Sequence, residues 1–208
     1  MNSKSLMVIL TDNSWLYIGL SALMPELICV HSRFSESHLP DITPEAGRVL
    51  IVIDSRIILR GEWSALNALK AERPDAITVW LILNETGRLF PGEYCGDWIL
   101  PQKIAPTGLR MAFQKIFSGL SEAERVRRIE LTHTERSLLP YFVSELSMHT
   151  ISRLTGKDTK TLYTHRHRIL TKAGLRLPTF LNFIFNRNKG LPGITSNAKG
   201  HEIKERRI

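Results

Sequence analysis

Two cysteines among 208 residues are too few for a disulfide framework, so a small cross-linked secreted scaffold is excluded. Cys29 and Cys95 are read as separate reduced thiols. No apolar run approaches the roughly 20 residues that a membrane-spanning helix needs. The amino-terminal stretch lacks a charged segment followed by a long apolar core, so no secretory signal is expected. Enzyme signatures are missing as well: there is no Gly-x-x-x-x-Gly-Lys phosphate loop, no nucleophile set beside a base and no metal-ligand spacing. These absences lead to the expectation of a cytoplasmic, non-catalytic chain with no membrane partner, no cofactor and no metal.

What is present is a lopsided charge. Lys and Arg number 28 against 20 Asp and Glu, a formal net charge of +8. Residues 1–120 hold 11 basic and 12 acidic side chains, whereas residues 121–208 hold 17 and 8. A polyanion would therefore meet the second half.

Within that half, Thr159 to Ala173 has the period of an amphipathic helix. At 100° per residue, Leu162, Ile169, Leu170 and Ala173 form one apolar stripe. Lys160, Tyr163, Thr164, His167 and Thr171 crowd the opposite side, with Arg168 at its flank. That outer face carries no carboxylate, whereas an ordinary solvated face mixes both signs. Cations and hydroxyls without acids suit phosphates and base edges. His165 lies nearer the apolar stripe and is assigned to packing. His165 and His167 point to opposite sides of the helix and do not form a metal site.

Asp158, or Thr159, can cap the first turn of this helix, and Gly174 can end it. Upstream, Thr132 and Glu135 have capping-box spacing before a helix through Leu138, Leu139, Phe142 and Val143. A short helix through Met148, Ile151 and Leu154 follows. Three short helices, the last with a basic outer face, make a tri-helical DNA-binding pattern.

The stretch from Leu131 to Leu175 resembles the LuxR/FixJ-type (NarL-like) DNA-binding domain. The resemblance rests on Leu131-Thr132-His133-Thr134-Glu135, Ile151, Lys160-Thr161-Leu162, Thr164-His165-Arg166 and Lys172-Ala173-Gly174-Leu175. The chain departs from that pattern at Thr134, Glu145 and Pro140, where Pro140 should kink the first helix or confine it to one side. The spelling around Tyr163 is most similar to atypical members of the RcsA and EcpR (MatA) kind. The resemblance implies major-groove contacts from Tyr163, Thr164 and His167. Lys160, Arg166 and Arg168 are the phosphate candidates, with Lys157 a weaker one.

The first half alternates strands and helices. Strands are expected at Leu6–Leu10, Val49–Ile53, Ile77–Leu83 and Trp98–Leu100, with one more hidden near Ile28–Val30. Helices are expected at Ser14–Leu23, Trp63–Glu72 and Leu109–Phe117, while the stretch Cys29 to Glu45 resists placement. Continuously apolar strands between helices imply a parallel sheet covered on both faces. This half resembles a receiver domain, with Asp12 as a receiver acid and Asp54 at the phosphoacceptor position. Receiver chemistry needs a second acid, a hydroxyl and a Lys around Mg²⁺. Here Thr11 stands at the first of the two neighbouring acid positions, the hydroxyl position falls on Asn84 or Thr86, and the Lys position falls on Gln102 with Lys103 one place off. Arg56, two residues past Asp54, can pair with it. A degenerate, phosphate-independent receiver is expected, with Asp54 a vestigial phosphoacceptor. Asp12 and Asp54 can also be read as polar caps at strand ends.

The expected fold is α/β plus all-α: a receiver-like, doubly wound parallel sheet followed by a four-helix LuxR-type helix-turn-helix domain. Its parts are a regulatory domain at 1–117, a charged linker at 118–130, the DNA-binding domain at 131–187 and a flexible basic tail at 188–208. In the fourth helix, Phe180, Leu181, Ile184 and Phe185 are candidates for a dimer contact that the resemblance implies; the alternative is a cover for the three-helix core. The expected partner is double-stranded DNA, bound as a homodimer or as a heterodimer with another LuxR-type regulator. A partner-dependent auxiliary regulator is the alternative function.

Overall fold

Strands that are apolar at every position can survive only where both faces of a sheet are covered. That is where the chain puts them. In the computed structural model, which describes residues 5–35, 47–83, 86–90 and 94–188, five parallel strands form one sheet. They are β1 (Leu6–Leu10), β2 (Ile28–Ser32), β3 (Val49–Asp54), β4 (Ile77–Ile82) and β5 (Trp98–Pro101), in the spatial order β2-β1-β3-β4-β5. Every residue of β1 and β3 is buried. The strand expected near Ile28–Val30 is β2, which runs two residues further.

Alternation along the strands divides the sheet into two layers. Met7, Ile9, Leu50, Val52, Val79 and Leu81 face a core shared with α1 (Ser14–Leu23) and α4 (Pro106–Phe117) through Leu20, Leu109 and Phe113. On the other face the Trp63 and Trp80 rings meet at 6.2 Å, beside α3 (Ser64–Glu72), whose Ala65, Leu66 and Leu69 are buried. A four-residue helix, α2 (Ile57–Arg60), follows β3 and ends at Gly61 with φ 72°. α4 begins at Pro106, three residues before the position expected, because proline is already shaped for the first helical turn and loses no hydrogen bond there.

The carboxyl-terminal helices are α5 (His133–Phe142), α6 (Met148–Thr155), α7 (Thr159–Ala173) and α8 (Pro178–Arg187). Their apolar sides meet through Leu138, Phe142, Ile151, Leu162, Ile169 and Ile184, all buried. Pro140 lies inside α5, which ends two residues later. The basic tail beyond Asn188 and most of the stretch from Cys29 to Glu45, from residue 36 on, lie outside the described residues, as does Asn84.

The chain divides into two compact units, Met1–Leu83 with Gly96–Val126 and Asn84–Cys95 with Arg127–Ile208. Two details of this division have no sequence signal. Within the first unit, the polar stretch after α4 returns to the sheet. Ile99 N–H donates to the Glu124 carbonyl, Val126 N–H donates to Asp97, and the Arg125 guanidinium lies 3.6 Å from the centre of the Trp98 ring. Within the second unit, residues from the β4–β5 connection join the helices. Arg88 N–H donates to the Ala173 carbonyl at 2.7 Å. Gly87, at φ +60°, sits so close that a Cβ would lie 2.6 Å from both that oxygen and Leu175, which only glycine avoids. Among the described residues no helix is long and apolar enough to cross a membrane.

Candidate nucleic-acid interface

α7 is held by its ends and its inner stripe. Asp158 is the N-cap, its carboxylate accepting from Lys160 N–H at 2.9 Å. Gly174 closes the helix at φ 66°, a conformation that favours glycine. The turn from α6 to α7 is three residues, Gly156 to Asp158, and the Ser152 hydroxyl braces it by donating to the Lys157 carbonyl at 2.7 Å. A short braced turn fixes the angle of the second helix to the first, which is the geometric requirement of a helix-turn-helix.

Leu162, Ile169, Leu170 and Ala173 are buried, the four predicted from the wheel. Lys160, Tyr163, Thr164, His167, Arg168 and Thr171 are exposed, and Arg166 is half-buried. Tyr163 is 51 % exposed, a high value for a tyrosine, and the Arg166 guanidinium stacks 4.9 Å from its ring centre. This cation–π contact holds ring and cation together while leaving guanidinium donors free for an anion. The Thr164 and Thr171 hydroxyls donate back to the Lys160 and His167 carbonyls, both at 3.0 Å. Thr164 therefore offers outward a methyl group and acceptor lone pairs rather than a donor. His165 is half-buried with Nδ1 shielded and unpartnered, turned away from the outer face.

Lys172 is removed from the set of cations open to a ligand. Its ammonium pairs with the buried Glu135 at 2.7 Å and donates to the Glu130 carbonyl at 3.0 Å. Glu135 completes the predicted capping box with Thr132. Burial pushes the Glu135 carboxyl up, but Lys172 and the Thr132 amide outweigh it and hold the group below its ordinary value.

Of the two uses expected of α8, a dimer contact or a cover for the three-helix core, burial favours the cover for Leu181, Ile184 and Phe185, while the half-buried Phe180 keeps part of its ring accessible. The apolar side chains that α8 and its cap turn outward are Phe183 and Leu177.

In the sheet unit, the strand order reverses between β1 and β3, the place where open α/β sheets hold ligands beyond the strand ends. The chain fills that crevice with its own groups. Asp54 is buried and accepts from the Thr11 hydroxyl at 2.8 Å, the Arg56 amide at 3.1 Å and the Arg56 guanidinium at 3.3 Å. Asp12 accepts from Phe34 N–H at 3.2 Å and lies 3.8 Å from the Arg60 guanidinium. A divalent cation needs several oxygens that are not already bound to donors. Here a hydroxyl donor replaces one acid and two guanidinium groups stand at the others, so the residues do not fit Mg²⁺. Gln102 keeps a buried, unpartnered side-chain oxygen, and Lys103 is exposed.

No family model matches this sequence, and no curated protein matches it. Solved structures do. One described as two RcsB dimers bound to two parallel DNAs aligns over 88 % of this chain and 98 % of that one, with a TM-score of 0.63 at 14 % identity. RcsB from Salmonella enterica serovar Typhimurium, bound to promoter P1flhDC in the presence of phosphomimetic BeF3−, aligns over 89 % and 99 %, with a TM-score of 0.61 at 15 % identity. The same organism's RcsB bound to promoter rprA aligns over 87 % and 98 %, at 0.57 and 16 %. This chain thus has the fold of those response regulators, a parallel five-stranded sheet with flanking helices and a helical carboxyl-terminal region.

Proposed function

We propose that this chain is a sequence-specific transcription regulator that lays α7 in the major groove of DNA and acts without phosphorylation. The observation that carries the reading is the exposed side of α7, where cations, hydroxyls and one stacked tyrosine stand without a single acidic residue from Thr159 to Ala173. Tyr163, Thr164 and His167 read base edges; Lys160, Arg166 and Arg168 hold phosphates. The fold shared with DNA-bound RcsB structures supports the same use of the helix. Selection of binding sites from a randomised duplex pool with the full chain tests it. An enriched motif that Tyr163→Ala alters is the expected result, and no enrichment above a random pool is the contrary one.

The crowding around Asp54 supports independence from phosphorylation. Thr11 and Arg56 already occupy the carboxylate that a phosphoryl donor would have to reach. Asp54→Ala is expected to leave promoter activity within about twofold of wild type, a change below ~0.4 kcal/mol. Labelling of Asp54 by acetyl phosphate together with loss of activity in the variant would show the opposite.

A second reading, an RcsA-like auxiliary regulator working through a heterodimer, has one observation in its favour. α1 contains no charged residue, and its Trp15 and Ile18 are 82 % and 54 % exposed one turn apart. A bare apolar helix face of this kind fits a protein partner. Gel shifts separate the readings: binding by the purified chain alone supports a homodimer or monomer, and binding only when cell extract is added supports the partner.

A further inference from the structure

Side chains on an α-helix lean toward its amino terminus, so a residue meets the one three positions before it. On α7 this brings Arg166 back over Tyr163, with its guanidinium carbon 4.9 Å from the ring centre. The charged member of the pair is half-buried, whereas the ring stays 51 % exposed. No carboxylate competes for the guanidinium. α7 has none between Thr159 and Ala173, and among the described residues Arg166 enters no ion pair. The neighbouring cations are placed differently: Lys160 and Arg168 are exposed and, among the described residues, neither lies over an aromatic ring.

A solvent-exposed tyrosine turns about two side-chain torsions, and fixing them against a base edge costs entropy. A cation held over the ring removes part of that freedom before DNA arrives, and its N–H donors stay open to a phosphate. We infer that Arg166 is a positioning residue for sequence selection: by holding the Tyr163 ring it narrows the bases that the ring accepts, while Lys160 and Arg168 add affinity without preference. This role, which rests on the reading of α7 as a major-groove helix, gives Arg166 a part in base choice beyond its phosphate contact. One side chain then ties the register of the backbone contact to the base that Tyr163 meets.

Two measurements on the full chain test it, the first without DNA. In the free protein, NMR is expected to show the Arg166 side-chain protons shifted upfield by the ring, a shift lost in Tyr163→Ala. Base preference is then measured by competition among duplexes varied one position at a time. Arg166→Ala is expected to lower discrimination about threefold at the same position that Tyr163→Ala alters. It should also flatten the log–log salt dependence by about 0.9. Added to Tyr163→Ala, it is expected to cost no further discrimination, because Arg166 acts on base choice through the ring. Arg168→Ala is the control, with the same loss of slope and an unchanged preference. An unshifted Arg166, a preference that Arg166→Ala leaves intact, or additive losses in the double variant would each overturn the inference while leaving the base contact of Tyr163 standing. A preference that Tyr163→Ala itself does not change would instead remove the base-reading assignment, and this role of Arg166 with it.

Discussion

Alanine at both Lys160 and Arg168 is expected to weaken binding to every duplex, by on the order of 100-fold at 0.1 M salt and hardly at all near 1 M. The reason is the origin of the affinity. Each cation set on a phosphate releases about 0.9 of a condensed counterion, so removing two flattens the log–log salt dependence by about 1.8. Both side chains are exposed on the same side of α7, and neither is engaged in an ion pair among the described residues. Tyr163→Ala should act differently, costing about 1–3 kcal/mol at one base position while leaving the salt slope alone. Anisotropy titrations at several salt concentrations, on the selected site and on a scrambled one, measure both. Equal losses with equal slopes for the two variants would mean that phosphate and base contacts have been misassigned.

Glu135→Ala is expected to destabilise the helical unit by about 3 kcal/mol. One carboxylate performs three tasks there. It caps α5 by accepting from Thr132 N–H at 2.8 Å, it pairs with Lys172 at 2.7 Å, and through Lys172 it fixes the last turn of α7. Breaking a fully buried pair costs about 3–5 kcal/mol. The lower end applies because the Lys172 side chain keeps 36 % of its exposure and can turn to water. The pH dependence has a definite sign. The folded-state pKa of Glu135 is lowered, so its contribution is complete above the unfolded value near ~4.3 and disappears as pH falls through the lower folded value. Glu135→Gln should remove this part of the acid sensitivity while retaining an acceptor for the cap. Hydrogen exchange of α5 and α7 amides in the full chain, followed from pH 6 downward, reports on this unit separately from the sheet. Wild-type protection that falls no faster than that of the Gln variant would contradict the account.

Much of the arrangement was legible because local chemistry and burial agreed. Asp158, Gly174 and the Thr132–Glu135 box mark helix ends by hydrogen bonds that span no more than four residues, and the α7 stripe follows from periodicity alone. The apolar runs of β1 and β3 announced themselves as buried strands. What escaped depends on distant partners. Lys172 meets Glu135 across 37 positions, and Arg88 meets Ala173 across a chain separation that no local pattern encodes. α2 is a single turn, too short to show a period. For α8 the sequence leaves a dimer contact and a cover for the core side by side, because whether Leu181, Ile184 and Phe185 are buried depends on a tertiary contact with α7 that no local pattern encodes.

Methylation interference on the selected binding site examines the placement of α7 most directly, because guanine N7 lies in the major groove and adenine N3 in the minor. Lost binding on methylation at guanine N7, with one such position relieved in His167→Ala, is the result expected of a helix seated in the major groove. Interference confined to adenine N3, or unchanged by substitution anywhere on the exposed side of α7, would place the contact elsewhere and contradict the account.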